Sequence, residues 1–142
     1  MRIAAYTLVG LLVAITARAE ASTSGYVVIV HPNNRVSKLD RKFLAEVFLR
    51  RTTRWPDDTP IRPVDLGPDA RTRSLFSQEI LFRSVASVRS YWQQRIFSGQ
   101  GLPPPELSDD AAVVSYVLTH PGAIGYVAAG TALNGVTAVE LN

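Results

Sequence analysis

Two histidines, two adjacent acid pairs and one basic segment are the groups in this sequence that could do chemistry. His31 and His120 each stand immediately before a proline, where an element ends and the backbone is held extended. Neither belongs to a His-Glu-x-x-His or other metal-ligand spacing. Asp57-Asp58 reads as a turn, and Asp109-Asp110 as a helix start whose dipole favours acids. There is no Gly-x-Ser-x-Gly elbow, and a chain with no cysteine has no thiolate nucleophile. His31 follows an apolar run, which suits a turn residue or one that faces a cleft. No convergent set of groups emerges, so the sequence points away from an enzyme and calls for no cofactor or metal.

The basic segment is the denser signal. Between Arg35 and Arg54 the cations Arg35, Lys38, Arg41, Lys42, Arg50, Arg51 and Arg54 are opposed only by Asp40 and Glu46. Such a cluster is either a solvated helix face or a docking patch for an acidic partner, with Arg50, Arg51 and Arg54 as its core. Tyr91, Trp92 and Phe97 either line a pocket or pack inside, and their helical spacing fits packing.

Charge on the whole chain says little. Arg2, the apolar run Ile3 to Ile15 and Ala17-Arg18-Ala19 form a secretory leader over 1–19, with cleavage after Ala19 or Ala21. The run is shorter than the roughly 20 residues a membrane helix needs. Without Arg2 and Arg18 the Lys+Arg count drops from 15 to 13 against 12 acids, and the net charge from +3 to +1. That balance does not suit nucleic acid. The expected product is periplasmic or secreted, with no membrane span after cleavage and a single domain over 22–142. Lacking disulfides, it must hold by burial alone.

The elements that position these groups alternate. Gly25 to Val30 is a β-branched apolar run suited to a strand buried on both faces. A helix follows from Leu39 to Arg51, capped by Ser37 or Asp40, with Leu39, Phe43, Leu44, Val47 and Phe48 as its apolar stripe. Ile61 to Leu66 reads as a strand that Pro63 places at an edge or a bulge. Asp69 is positioned to cap a helix from Ala70 to about Phe82. Another starts near Ser84 or Ser87, carries Val88, Tyr91, Trp92 and Ile96 on one side, and stops at Gly99. Ser108 is expected to cap a fourth helix whose Val113, Val114, Val117 and Leu118 face inward. Ala123 to Ala128 and Val136 to Leu141 complete an α/β fold: one lobe, with a mixed, mainly parallel sheet flanked by helices on both faces.

Four segments, taken in order, resemble the periplasmic phosphate-binding proteins of ABC transporters. They are Leu39-Asp40-Arg41-Lys42-Phe43-Leu44-Ala45-Glu46-Val47-Phe48-Leu49, Trp55 with its turn, Thr72-Arg73-Ser74-Leu75-Phe76, and Pro121-Gly122-Ala123-Ile124-Gly125-Tyr126-Val127. The last is the most specific, and together they span nearly the whole mature chain. The resemblance implies a periplasmic-binding-protein-like lobe with an anion site where a small-residue turn opens a helix. Backbone N–H groups, hydroxyls and an arginine meet the anion there. Aligned on Phe76, the family's serine falls at Ala70, its second glycine at Arg71 and its threonine at Thr72. Its arginine falls at Leu66 and its aspartate at Pro68. The expected ligand-binding set is therefore Ala70, Arg71, Thr72 and Arg73, holding a phosphate-like oxyanion weakly. An ABC permease or another envelope protein is the implied partner. The alternative is a ligand-free interaction module of the cell envelope that kept the lobe and lost the solute.

Overall fold

Strand alternation at Ala123–Ala128 (β6) decides what lies on either side of the sheet in the computed structural model, which describes residues 25–142. The leader 1–19 and both cleavage points lie outside the described residues. Ile124, Tyr126 and Ala128 point to one face of β6, Gly125 and Val127 to the other. On the first face the Tyr126 ring stacks on Phe76, centroids 3.8 Å apart and planes 3° from parallel, while Phe48 packs 5.7 Å away. On the second, a Cβ at Gly125 would fall 2.8 Å from Val113 and 2.9 Å from Val64. The missing side chain lets the helix Asp110–Thr119 lie close against the strand. Helices thus cover both faces, as an α/β lobe requires.

Five strands make the main sheet. In chain order they are β1 (Tyr26–Val30), β2 (Lys38–Leu39), β3 (Arg62–Pro63), β6 and β7 (Thr137–Leu141), arranged β2-β7-β1-β6-β3. A separate parallel pair joins β4 (Asp65–Leu66) to β5 (Glu106–Leu107). The sheet is mixed: β2 with β7 and β3 with β6 are parallel, whereas β1 runs antiparallel to both neighbours. Burial of β1 on both faces was legible in its composition. The mainly parallel setting which such a run suggests is corrected for β1, which pairs antiparallel with both neighbours because buried apolar side chains suit either direction.

The expected strand Ile61 to Leu66 is two short strands with different partners. Pro63 sits in β3 at the sheet edge, and past buried Val64 the chain leaves the main sheet to pair with β5. The described residues hold four α-helices, α1 (Arg41–Phe48), α2 (Arg71–Phe76), α3 (Val85–Phe97) and α4 (Asp110–Thr119), and α1 is shorter than expected because Leu39 belongs to β2, paired with Leu141. Asp40 caps α1 by accepting from Lys42 N at 2.6 Å, and Ser84 caps α3 by accepting from Ser87 N at 3.1 Å. The cap of α4 is Asp109 rather than Ser108, its carboxylate accepting from Ala112 N at 2.8 Å. Leu118 and Ile96 also depart from the expected inward stripes and are exposed. No helix of the described residues is long and apolar enough to cross a membrane.

The expected helix to Phe82 changes winding part-way. Past Phe76 it continues as a π-helical turn, Ser77–Leu81, and ends at Phe82, whose φ of 53° is left-handed. Buried Ser77 anchors the exit by donating its Oγ hydrogen to the Arg83 carbonyl at 2.7 Å. Of the four non-glycine residues with positive φ among the described residues, Asp58 and Asn134 are types that tolerate it, whereas Arg50 and Phe82 are not. Each such residue costs about 1–3 kcal/mol, which the surrounding packing must offset.

Candidate functional site

The start of α2 is where the expected anion residues fall, and it is open. The Ala70 amide donates to the Gly67 carbonyl at 3.1 Å, closing a tight turn that swings the chain from β4 into the helix. Ala70 has the extended backbone of an N-cap (φ −71°, ψ 128°) but no side-chain acceptor, and Asp69 does not supply one. The other three helices are each capped by a side chain. Helix starts leave their first N–H groups without an internal partner, so α2 presents those of Arg71 and Thr72 unshielded. Arg71 is exposed; Ala70 and Thr72 are half-buried.

Arg73 does not share that opening. Its side chain is buried, and Nη1 donates to the Leu66 carbonyl and, at 3.3 Å, to Glu106 Oε1. Its Nε lies 3.3 Å from Asp65 Oδ1, off the line a hydrogen bond needs, so that contact is Coulombic. Asp65 in turn accepts from the Tyr126 hydroxyl and from Leu66 N at 2.9 Å. Burial pushes the Asp65 carboxyl above its ordinary range, while Arg73 and the Tyr126 hydroxyl pull it back. Burial first, then the neighbouring carboxylate, push the Tyr126 phenol far upward. The structure thus gives the expected anion donor Arg73 protein partners of its own. Its guanidinium turns inward because two carboxylates and a strand-end carbonyl meet it there, and no sequence spacing announces Asp65 or Glu106 as its partners.

The second expected site divides. Arg54 folds back on its own turn, donating to the Asp58 carbonyl at 2.7 Å with the Asp58 carboxylate 3.8 Å away. Arg51 instead pairs with Glu46 at 3.5 Å and lies 5.9 Å from the Tyr91 ring centre. Arg83 and Arg95, which sequence reasoning missed, lie over the same ring at 5.2 and 5.3 Å. The Tyr91–Arg95 spacing of one helical turn was a usable signal. Arg83 gave none, since its position depends on the left-handed Phe82. Tyr91 is itself fixed by its hydroxyl, which donates to the Leu49 carbonyl at 2.9 Å.

His31 is both a turn residue and a cleft residue. Its Nδ1 accepts from Asn33 N at 3.1 Å, and the buried ring lines a cavity of about 650 Å³ with Arg35, Trp55 and Arg62. Asp57, also on that cavity, is occupied by the Thr59 hydroxyl and amide, which lower its pKa. Among the described residues no group of three or more His, Asp or Glu is placed to hold a metal ion.

A family model described as a PBP superfamily domain matches residues 18–141. The chain belongs to that superfamily. Among solved structures, the PBP lobe is similar to a phosphate ABC transporter substrate-binding protein from Clostridium perfringens, determined with bound phosphate. That likeness has 22% identity and a TM-score of 0.64 over 82% of this chain and 44% of that one. An ABC-type phosphate transport receptor from Vibrio cholerae matches at 17% identity and TM-score 0.60, over 82% and 46% of the two chains. PstS from Borrelia burgdorferi matches at 14% and 0.64, over 83% and 47%. No curated protein matches the sequence. The chain therefore spans less than half the length of these structural relatives, and at such identities the likeness establishes the PBP fold.

Proposed function

We propose that the chain is a secreted, non-catalytic solute-binding lobe of the phosphate-transporter type that holds a phosphate-like oxyanion weakly at the start of α2. The observation that carries this reading is the uncapped helix start at Ala70, where the other three α-helices of the described residues are all capped by side chains. Open N–H groups at the positive end of a helix favour an anion. Because α2 runs without a break into the π-helical turn, its peptide dipoles align from Arg71 to Leu81. Arg71 supplies an exposed guanidinium and Thr72 a hydroxyl. Arg73 contributes from within, holding the Leu66 carbonyl and with it the loop that leads into the helix.

The Clostridium perfringens relative, solved with phosphate, supports the choice of ligand class. Weak affinity follows from the residues present. Ala70 lacks a hydroxyl, which removes a contact worth about 1.5–3 kcal/mol to a charged acceptor. An ABC permease is the partner this role implies.

Calorimetry on the mature protein with phosphate and sulfate tests the reading. Millimolar binding that is lost in Arg71→Glu supports it. No heat at millimolar anion, together with no thermal stabilisation, overturns it.

A further inference from the structure

We propose that the groove between α1 and the π-helical turn is a docking site for an acidic partner segment that also carries apolar side chains. The groove encloses about 410 Å³. Its floor is apolar, formed by Ala45, Leu49, Ile80 and Leu81, and its rim carries Arg41, Lys42, Arg51 and Arg83. Glu46 is the acid among the lining residues, and Arg51 already pairs with it. Among the described residues no ion pair joins Arg41, Lys42 or Arg83 to an acid. Glu79 does not line the groove, but it and Arg41 both act on the Tyr26 hydroxyl, so Lys42 and Arg83 are the rim cations farthest from compensation.

The rim continues past the groove through Arg95, which shares the Tyr91 ring with Arg51 and Arg83. Three guanidiniums over one ring repel one another, and a chain of carboxylates relieves that repulsion. Arg51 holds Glu46 and Arg95 the Gln100 carbonyl, which leaves Arg83 as the guanidinium of the three whose edge is free among the described residues to meet a carboxylate in a two-bond fork. Phe82, 85% exposed, stands at the groove as an apolar contact already outside the core. Arg50, beside the rim residue Arg51, and Phe82 are also the two residues held left-handed against their type. Strained backbone and π-helical turns both concentrate at binding sites. An anionic bilayer would also attract these groups. Here, however, the cations edge a recess rather than ring a prominence, and a recess fits an inserted segment better than a flat surface does.

Titration with a short synthetic peptide alternating glutamate and leucine tests the assignment, with a lysine–leucine peptide and phosphatidylglycerol vesicles run alongside. The expected result is binding of the acidic peptide alone, weakening as salt rises, and on the order of tenfold weaker in Arg51→Glu/Arg83→Glu. Phe82→Gly, which suits the left-handed backbone, should weaken the peptide complex without lowering the thermal midpoint. Phosphate binding at α2 should be unchanged in these variants, so this site and the oxyanion site stand or fall separately. Equal peptide binding by all variants, no peptide binding, or capture by vesicles without peptide binding would each overturn the proposal.

Discussion

Arg73 Nε lies 3.3 Å from Asp65 Oδ1 with both side chains buried, and the Tyr126 hydroxyl binds the same carboxylate oxygen. This contact ties α2, β4 and β6 together behind the helix start proposed to meet the anion. A buried pair of this kind holds geometry more than it adds net stability, because each ion gives up its water.

Breaking the pair from one side should therefore be costly. Arg73→Met is expected to lose about 3–5 kcal/mol in urea unfolding, since it strands the buried Asp65 carboxylate, whereas Asp65→Leu should lose less because Glu106 still meets the Arg73 guanidinium. The double variant should recover most of that loss. Additive losses would show that the two residues do not act as a unit.

The helix start offers a change in the opposite direction. Ala70→Ser supplies the missing acceptor and is expected to raise stability by about 1 kcal/mol in phosphate-free buffer. An unchanged denaturation midpoint would mean that the introduced hydroxyl does not reach the N–H groups of the first turn.

Gly122 is fixed by two constraints at once. Its φ is 82°, and a Cβ there would lie 2.4 Å from the Pro60 carbonyl oxygen. Gly122→Ala should cost more than about 2 kcal/mol, combining left-handed strain with overpacking. It should also disturb the Trp55 Nε1 hydrogen bond to the Gly122 carbonyl, now 3.1 Å, giving a shift in tryptophan emission.

Alkaline pH should unfold the protein through its buried phenols. Burial, then Glu79, raises Tyr26 from 10.0 to about 12, and Tyr126 is raised further. Below pH 10 both phenols are neutral folded or unfolded, so this stability is fully present. Between about pH 10 and 12 the unfolded chain ionises first, and stability falls as pH rises. The displacement of Tyr26 corresponds to on the order of 2–3 kcal/mol at most. Tyr26→Phe should flatten the pH 10–12 part of the denaturation curve, and an unaltered slope would contradict this.

The sequence was most informative where one residue type settles a local outcome. Asp40 and Ser84 were each one of two expected helix starts, Pro63 was expected at an edge or a bulge, and the stretch ending in Ile124-Gly125-Tyr126 marked a strand with different faces. It was least informative where the outcome depends on a distant partner. Leu66 begins like the end of one strand, yet it pairs with Leu107, far along the chain. Arg73 matched an anion site by position, and only the fold brings Asp65 and Glu106 to it. The arginine cluster was half visible: Arg51 lay in the basic segment, whereas Arg83 and Arg95 joined it through Tyr91.

Winding, as much as composition, aims Phe82 and Arg83. An α-helix advances about 100° per residue, and Ser77–Leu81 winds more slowly. The bearing of the two side chains is thus a matter of phase, set by winding and residue count together. Four residues in α-winding turn through about as much as these five do, so deleting one residue between Ser77 and Leu81 and rewinding the rest as α-helix keeps both side chains near their present bearing. What the extra residue of the slower turn changes is the rise of the chain before Phe82, not the direction in which Phe82 and Arg83 face.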